Sequence, residues 1–435
     1  MNSKISQCIK HDYDNNLFRY YIDSPKIGHV VENERFLIDG WFLSEHILQN
    51  LCVEIDGKAH TYMFNKTRLD VKKNLNILDS SILTYGFHHE IVSPISGIKL
   101  GVCLDNRVIW LCEFQIGEFD NSLLKVVSGE NGHLFLNNYT NLSIEQYIGK
   151  QSLTGKMIEG WRNYFDIFNT LNVDKKLFLI VPSKEELFGE YYPYERAKFN
   201  ICDQFLNEFS SQGLLYPLEV LFKDKEFSYL KADTHWSDYG AYISAKRILK
   251  YFDLSNYDHL LQNNFILSEF RGDLGNKLPQ RQMVIGLKSS RYIMPNFDNA
   301  IHNHGRIWIF NNINAPVKDT LMIFGDSFAA GINANYVANQ MSAIFNKVVF
   351  MHSAGAIDES VINYEKPKYI ICEMNQRFII RPLDKYDIWQ VIDKKLKILK
   401  KEELFNLKLY LSKYDTEQYG FYTNRILNLL NNIIE

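Results

Sequence analysis

The sequence has no CxxC pair: its six cysteines, Cys8, Cys52, Cys103, Cys112, Cys202 and Cys372, are scattered through 435 residues. That spacing offers neither a disulfide framework nor a zinc ligand set, so reduced thiols and no metal site are expected. An excess of one charge is also missing. With 48 Lys and Arg against 51 Asp and Glu, the formal net charge is −3, which gives no electrostatic basis for a nucleic acid or an anionic membrane as main partner. No stretch reaches the roughly 18 apolar residues of a membrane-spanning helix. Met1 to Tyr13 carries Lys4, Lys10, His11 and Asp12 in place of the apolar core of a signal peptide. A cytoplasmic protein is the expectation. The chain shows no internal repeat and no low-complexity linker.

What is present is a large apolar complement, 46% hydrophobic and 14% aromatic, enough to bury the cores of two or three domains. Residues 1–120 read as short strands such as Arg35-Phe36-Leu37-Ile38 and Cys52-Val53-Glu54-Ile55, punctuated by turn signals at Asp39-Gly40, Asp56-Gly57 and Asp105-Asn106. This pattern predicts an antiparallel β-sandwich. Residues 121–385 alternate apolar runs with helical stretches. The runs are Lys176 to Val181, Leu321 to Phe324, Val348 to Phe350 and Tyr369 to Cys372. The helices are expected to include Gly240 to Phe252 and Ala329 to Phe345. Such alternation predicts an α/β domain with a mostly parallel sheet and an active site beyond the carboxyl ends of its strands. Residues 386–435 read as packed helices, with Lys394 to Glu403 as a solvated helix face.

Chemistry concentrates in two elements, Asp233-Thr234-His235-Trp236 and Gly325-Asp326-Ser327-Phe328. A serine is a weak nucleophile near neutrality unless a hydrogen-bonded base takes its proton and a third group orients that base. Ser327, His235 and Asp233 supply those parts in the order Asp, His, Ser. Ser327 is expected on a tight turn at a helix N-terminus, where backbone amides and the helix dipole favour an oxyanion. Gly355 and Asn375, just past the next two strands, are candidate oxyanion donors with the Ser327 amide. Arg377 and Trp236 are candidate substrate contacts, although Trp236 also reads as packing beside the site, and Arg377 as a scaffold ion pair. His60, His88, His133 and His352 have no comparable setting and read as structural.

The order Gly-Asp-Ser, then glycine, then asparagine resembles the SGNH (GDSL-type) hydrolases. Asp233-Thr234-His235-Trp236 preceding Gly325-Asp326-Ser327-Phe328 is similar to the permuted SGNH-like branch that includes the alginate O-acetyltransferases. Gly132-His133-Leu134-Phe135-Leu136, Val181-Pro182-Ser183-Lys184 and Gly272-Asp273-Leu274 resemble smaller segments of that branch. The resemblance covers residues 125–385 and implies a three-layer SGNH-like fold, with an oxyanion hole of Ser327, Gly355 and Asn375. It implies transfer of an acetyl group through acetyl-serine to a sugar hydroxyl, here of a bacterial capsule or O-antigen polysaccharide. Acetyl-CoA is the expected donor and no bound cofactor is expected. The N-terminal segment resembles β-sandwich modules that accompany bacterial polysaccharide glycosyltransferases. It implies an accessory, glycan-binding role and capsule-assembly glycosyltransferases as partners, with Trp41 and Phe42 as residues that would stack on sugar or pack in the core. Two alternatives stay open: a carbohydrate acetyl esterase using the same triad, and a non-catalytic glycan-binding protein.

Overall fold

Near-continuous apolar runs, rather than alternating ones, suit strands buried on both faces of a sheet. In the computed structural model, which describes residues 4–11, 17–27, 31, 35–74, 81–92, 94, 96–117, 125–137, 141–278, 282–414 and 416–434, those runs form one seven-stranded sheet. Its strands are β1 (Lys175–Val181), β2 (Leu214–Leu215), β3 (Phe297–Asp298), β4 (Ile307–Asn311), β5 (Val317–Gly325), β6 (Phe345–His352) and β7 (Tyr369–Asn375). They lie in the order β2-β1-β7-β5-β6-β4-β3. From β2 to β6 all neighbours are parallel, while β4 and β3 close that edge antiparallel.

Alternate side chains feed two cores, one on each face. Leu177, Leu179, Leu321, Ile323, Val348 and Phe350 enter the first. Phe178, Ile180, Met322, Phe324, Val349 and Met351 enter the second. Helix α1 (Gly155–Thr170) covers the second face with Trp161, Tyr164, Phe165 and Phe168. Helix α2 (Asp238–Tyr251) covers the first with Ala241, Ala245, Ile248 and Leu249. Three C-terminal helices, α3 (Ile388–Leu396), α4 (Lys401–Leu411) and α5 (Thr416–Ile434), join the second face through Ile392, Leu407, Tyr422 and Ile426. The result is a helix–sheet–helix sandwich. Its parallel register sets Gly325 beside His352, Phe324 beside Cys372 and Val181 beside Asn375. The loops after β1, β5, β6 and β7 therefore emerge on one edge.

Two expected helices are corrected. Ala329 to Phe345 is not one helix: only Val337–Met341 is helical and Phe345 begins β6. Gly331-Ile332-Asn333-Ala334 forms a turn, with Asn333 at φ 60 and a bridge between Gly331 and Ala334. Left-handed backbone of this kind ends a helix before it starts. The charged run Lys394 to Glu403 is split between α3 and α4, and Lys395 is half-buried.

The chain divides into two units, one of Met1–Leu124 with Asn276–Gln282, the other of Lys125–Gly275 with Met283–Glu435. The boundary expected near residue 120 falls outside the described residues. Unit 1 holds a five-stranded antiparallel sheet, in the order Lys4–Lys10, Arg107–Gly117, Gly97–Leu104, Asn50–Ile55 and Lys58–Tyr62. Arg19–Ser24, Arg35–Ser44 and Leu83–Val92 form a three-stranded one. Phe42 is fully buried in this unit's core with Phe36, Ile38, Val53 and Phe87, so it stacks on no sugar.

Asp56-Gly57 and Asp105-Asn106 are tight turns, all four residues having positive φ. Asp39-Gly40, expected as a turn, lies in the middle of the strand Arg35–Ser44. The glycine serves close packing instead. A Cβ there would sit 2.5 Å from both the Phe87 ring and the Tyr21 carbonyl oxygen. Gly57, at φ +80, has nothing within 4 Å of its Cβ position. Gly40→Ala should therefore cost about 2–3 kcal/mol through overpacking, and Gly57→Ala only about 1 kcal/mol through backbone strain. Denaturant titration of the two variants beside the wild type checks this ranking.

Candidate active site

The residues after β5 do not continue into a helix. Gly325 to Ala329 makes a tight turn closed by the Ala329 amide donating to the Asp326 carbonyl at 3.1 Å. This overturns the expected helix N-terminus at Ser327, and with it the dipole argument. Asp326 fixes the turn from inside. One carboxylate oxygen accepts from the Phe328 amide at 2.7 Å, and the other accepts from the Asn375 amide at 3.0 Å. The Asp326 amide donates to Glu373 Oε2 at 2.8 Å. Glu373 is fully buried. Burial, then the neighbouring Asp326 charge, raise its carboxyl well above the usual range, which favours its neutral form.

The base arrives on an irregular loop held by a buried lysine. Lys184, just past β1, donates to the carbonyls of Leu134, Leu230, Lys231 and Asp233 at 2.6–3.2 Å. Burial pushes its pKa down to about 7, against the pull of Asp233 and Asp273. On this loop His235 Nε2 lies 2.7 Å from Ser327 Oγ, across 92 residues of sequence. His235 Nδ1 lies 2.8 Å from Asp233 Oδ1, which also accepts from the His235 amide at 2.8 Å. This geometry fixes the tautomer that leaves Nε2 free to take the serine proton. Burial works against the imidazolium, but the hydrogen bond to Asp233 and the charges of Asp233 and Asp273 outweigh it and raise the pKa of His235.

Asp273, which lies in one of the weaker sequence segments, completes the loop's support. Its amide donates to Asp233 Oδ2 at 3.0 Å, and its carboxylate accepts from the Thr234 amide at 2.7 Å and hydroxyl at 3.0 Å. The approach requires Gly272, where a Cβ would lie 1.8 Å from the Ala232 carbonyl oxygen. Ligand atoms of Asp233, His235 and Asp273 come within 4.8 Å of one another, close enough to hold a cation. Their oxygens, however, already accept from amide, hydroxyl and imidazole donors, which is the chemistry of a supported triad.

The remaining candidates divide. Trp236 is fully buried, and its Nε1 donates to the Phe328 carbonyl at 3.0 Å. It is therefore no substrate contact, but a brace between the base loop and the nucleophile turn. Gly355 follows β6 at φ +88, and its carbonyl accepts from Tyr164 Oη at 2.6 Å. Asn375 is fully buried. Its Oδ1 accepts from Ser183 Oγ at 2.9 Å and from the Arg377 amide at 3.2 Å, while Nδ2 lies 3.5 Å from the Pro182 carbonyl. Two donors on Oδ1 fix which way the amide faces. The Arg377 guanidinium lies 5.7 Å from the Phe328 ring centroid, and its Nε is buried with no hydrogen-bond partner among the described residues. Of the other histidines, His133 is buried between Phe188 and Tyr191. The sequence assigns no role to Lys184 or Glu373, although Lys184 lies in the Val181-Pro182-Ser183-Lys184 segment of the family resemblance. Both also sit at or just past the end of a parallel strand.

Two outcomes follow for hydrolysis of p-nitrophenyl acetate. His235 must be neutral to act as base and its pKa is raised, so the rising limb of kcat/KM should lie above pH 6.5, the ordinary imidazole value. A pH–rate profile checks this, and a limb at or below that value contradicts it. Lys184→Met would remove the donor that ties the Leu134, Leu230, Lys231 and Asp233 carbonyls together, although the Leu230 and Lys231 carbonyls keep backbone amide donors. It should lower kcat by about 10²-fold, the scale of misplacing a catalytic group by roughly 1 Å.

Comparison with known proteins identifies the family. The family described as "SGNH hydrolase-like domain, acetyltransferase AlgX" matches residues 126–359, just over half of the chain. No curated protein matches. Among solved structures, the chain is similar to the O-acetyltransferase domain of Pseudomonas putida AlgJ, at 16% identity over 71% of this chain and 99% of that one, with a TM-score of 0.38. It is similar to Bacillus cereus PatB1 at 14% identity, over 60% and 98%, with a TM-score of 0.40. Pseudomonas aeruginosa AlgX matches at 16% identity over 60% and 63%, with a TM-score of 0.35. These structural scores are low, and membership rests on the sequence match, whose span holds Asp233, His235, Ser327 and Gly355. The chain belongs to the SGNH hydrolase-like acetyltransferase family of AlgX.

Proposed function

We propose that this enzyme transfers an acetyl group from acetyl-CoA, through an acetyl-Ser327 intermediate, to a hydroxyl of a bacterial surface polysaccharide such as a capsule or O-antigen. The observation that carries this reading is the 2.7 Å contact between Ser327 Oγ and His235 Nε2, with Asp233 on the other imidazole nitrogen. In the first half-reaction Ser327 Oγ attacks the thioester carbonyl carbon as His235 Nε2 takes its proton. The oxyanion is held by the Ser327 and Gly355 amides and the Asn375 side-chain amide. The C–S bond then breaks and the departing thiolate takes the proton back from His235. In the second half-reaction a sugar hydroxyl gives its proton to His235 and attacks the acetyl carbon. Ser327 leaves and is reprotonated. Each half needs the same base, as a ping-pong scheme requires. With acetyl-CoA as donor the reaction would run in the cytoplasm, with capsule-assembly glycosyltransferases as partners. Glycan binding by unit 1 would hold the acceptor.

Intact mass after brief exposure to acetyl-CoA tests the scheme. Wild type should gain one acetyl group, lose it when an acceptor saccharide is added, and Ser327→Ala should gain none. An equal gain in the variant would remove Ser327 as the nucleophile.

A further inference from the structure

His352, the last residue of β6, pairs with Gly325, two residues ahead of the nucleophile. The Ser353 and Ala354 amides, next in the chain, both donate to the Gly325 carbonyl at 2.8 Å. Cationic and imidazole side chains from two other segments gather around this strand end. The loop before β4 supplies His302, His304 and Arg306. It is fastened to β6 by the Gly305 amide donating to the His352 carbonyl at 3.1 Å, and by the His352 amide donating to the Arg306 carbonyl at 2.9 Å. The His304 and His352 rings lie 5.1 Å apart. The Arg306 guanidinium donates from Nε to the Ile301 carbonyl at 3.0 Å and lies 5.2 Å from the Trp308 ring centroid. Helix α3 supplies Lys395, whose ammonium donates to the His302 carbonyl. His302 and His304 are exposed, and Arg306, His352 and Lys395 are half-buried.

No acid forms an ion pair with any of these five side chains among the described residues. Two carboxylates come near, Asp298 toward Arg306 and Asp326 toward His304. Asp298 accepts from the Ala300 amide at 2.8 Å, and both Asp326 oxygens accept backbone amides. Burial lowers the pKa of all three imidazoles, and the positive charge of Lys395 adds to that for each. A planar guanidinium, an ammonium and imidazole N–H groups converging from three segments match the donors that bind oxyanions.

We propose that His302, His304, Arg306, His352 and Lys395 form an anion-binding subsite at the rim of the catalytic site. It would hold an oxyanion of the substrate, either the phosphates of a CoA-type acyl donor or the carboxylate of an acidic sugar acceptor. The subsite rests on the acetyl-transfer reading only for the identity of that substrate. The cation cluster lies outside the triad, so its binding is measured without turnover.

Calorimetric titration of the full chain carrying Ser327→Ala tests it, with inorganic pyrophosphate, CoA and D-glucuronate as separate probes. Binding of pyrophosphate and CoA assigns the site to donor phosphates. Binding of glucuronate alone assigns it to an acceptor carboxylate. In either case Arg306→Gln with Lys395→Met should weaken binding roughly 10- to 100-fold, the scale of losing hydrogen bonds to a charged group. Arg306→Lys with Lys395→Arg should keep it within about threefold, and equal unfolding midpoints would separate lost binding from lost structure. If no probe binds, or if the charge-removing variant binds as well as its parent, the subsite does not exist. Because Ser327 is absent from every arm, failure of the acyl-enzyme scheme would leave this result standing, and the reverse holds too.

Discussion

The chemistry of this enzyme hangs on one hydrogen bond, between His235 Nε2 and Ser327 Oγ, and neither partner sits on regular structure. Loops are poor places from which to hold an atom to a fraction of an ångström. The molecule solves this with polar cross-bonds that act as fasteners. Lys184 gathers four carbonyls, three of them from the base loop. Asp326 ties the nucleophile turn to the end of β7. Trp236 joins base loop to nucleophile turn through the Phe328 carbonyl. An isolated buried ammonium would be costly. Surrounded by backbone oxygens it becomes a hub whose removal would loosen several segments at once.

Three acids near the serine show how environment separates identical groups. Asp233 accepts from the His235 ring and amide and from the Asp273 amide, so donors surround it and its task is orientation. Asp326 accepts two backbone amides and shapes the turn. Glu373, fully buried beside Asp326, is driven to its neutral form. Two charged carboxylates side by side would repel, and the raised carboxyl of Glu373 relieves that repulsion.

Much of this was legible in the sequence. Asp233, His235 and Ser327 were readable because nucleophile chemistry demands specific residue types, and the parallel strands because burial on both faces demands unbroken apolar runs. Other features were hidden because local signals were overruled by packing. Asp39-Gly40 has the composition of a turn, yet a ring and a carbonyl from neighbouring strands claim the space a side chain would fill. Ala329 to Phe345 has a helix's apolar content, but Asn333 in left-handed backbone breaks it. Trp236 next to the catalytic histidine invited a substrate role. Its indole is instead committed to a carbonyl, a partnership only the tertiary structure reveals. Lys184 lies in a segment that the family resemblance marked, but its task and that of Glu373 were not legible, because each acts through backbone amides and carbonyls rather than through a characteristic side-chain pattern.

In this structure the serine touches its base directly. An enzyme that activates its nucleophile only upon substrate closure can use that step as a checkpoint; a resting dyad joined at 2.7 Å has none. Any carbonyl compound small enough to reach Ser327 meets a competent nucleophile. In the proposed scheme, the same imidazole would then deprotonate whichever hydroxyl reaches the acyl-serine first, water included. Choice between transfer and hydrolysis thus becomes a race, decided by how long an acceptor dwells over the acyl group compared with the arrival time of solvent.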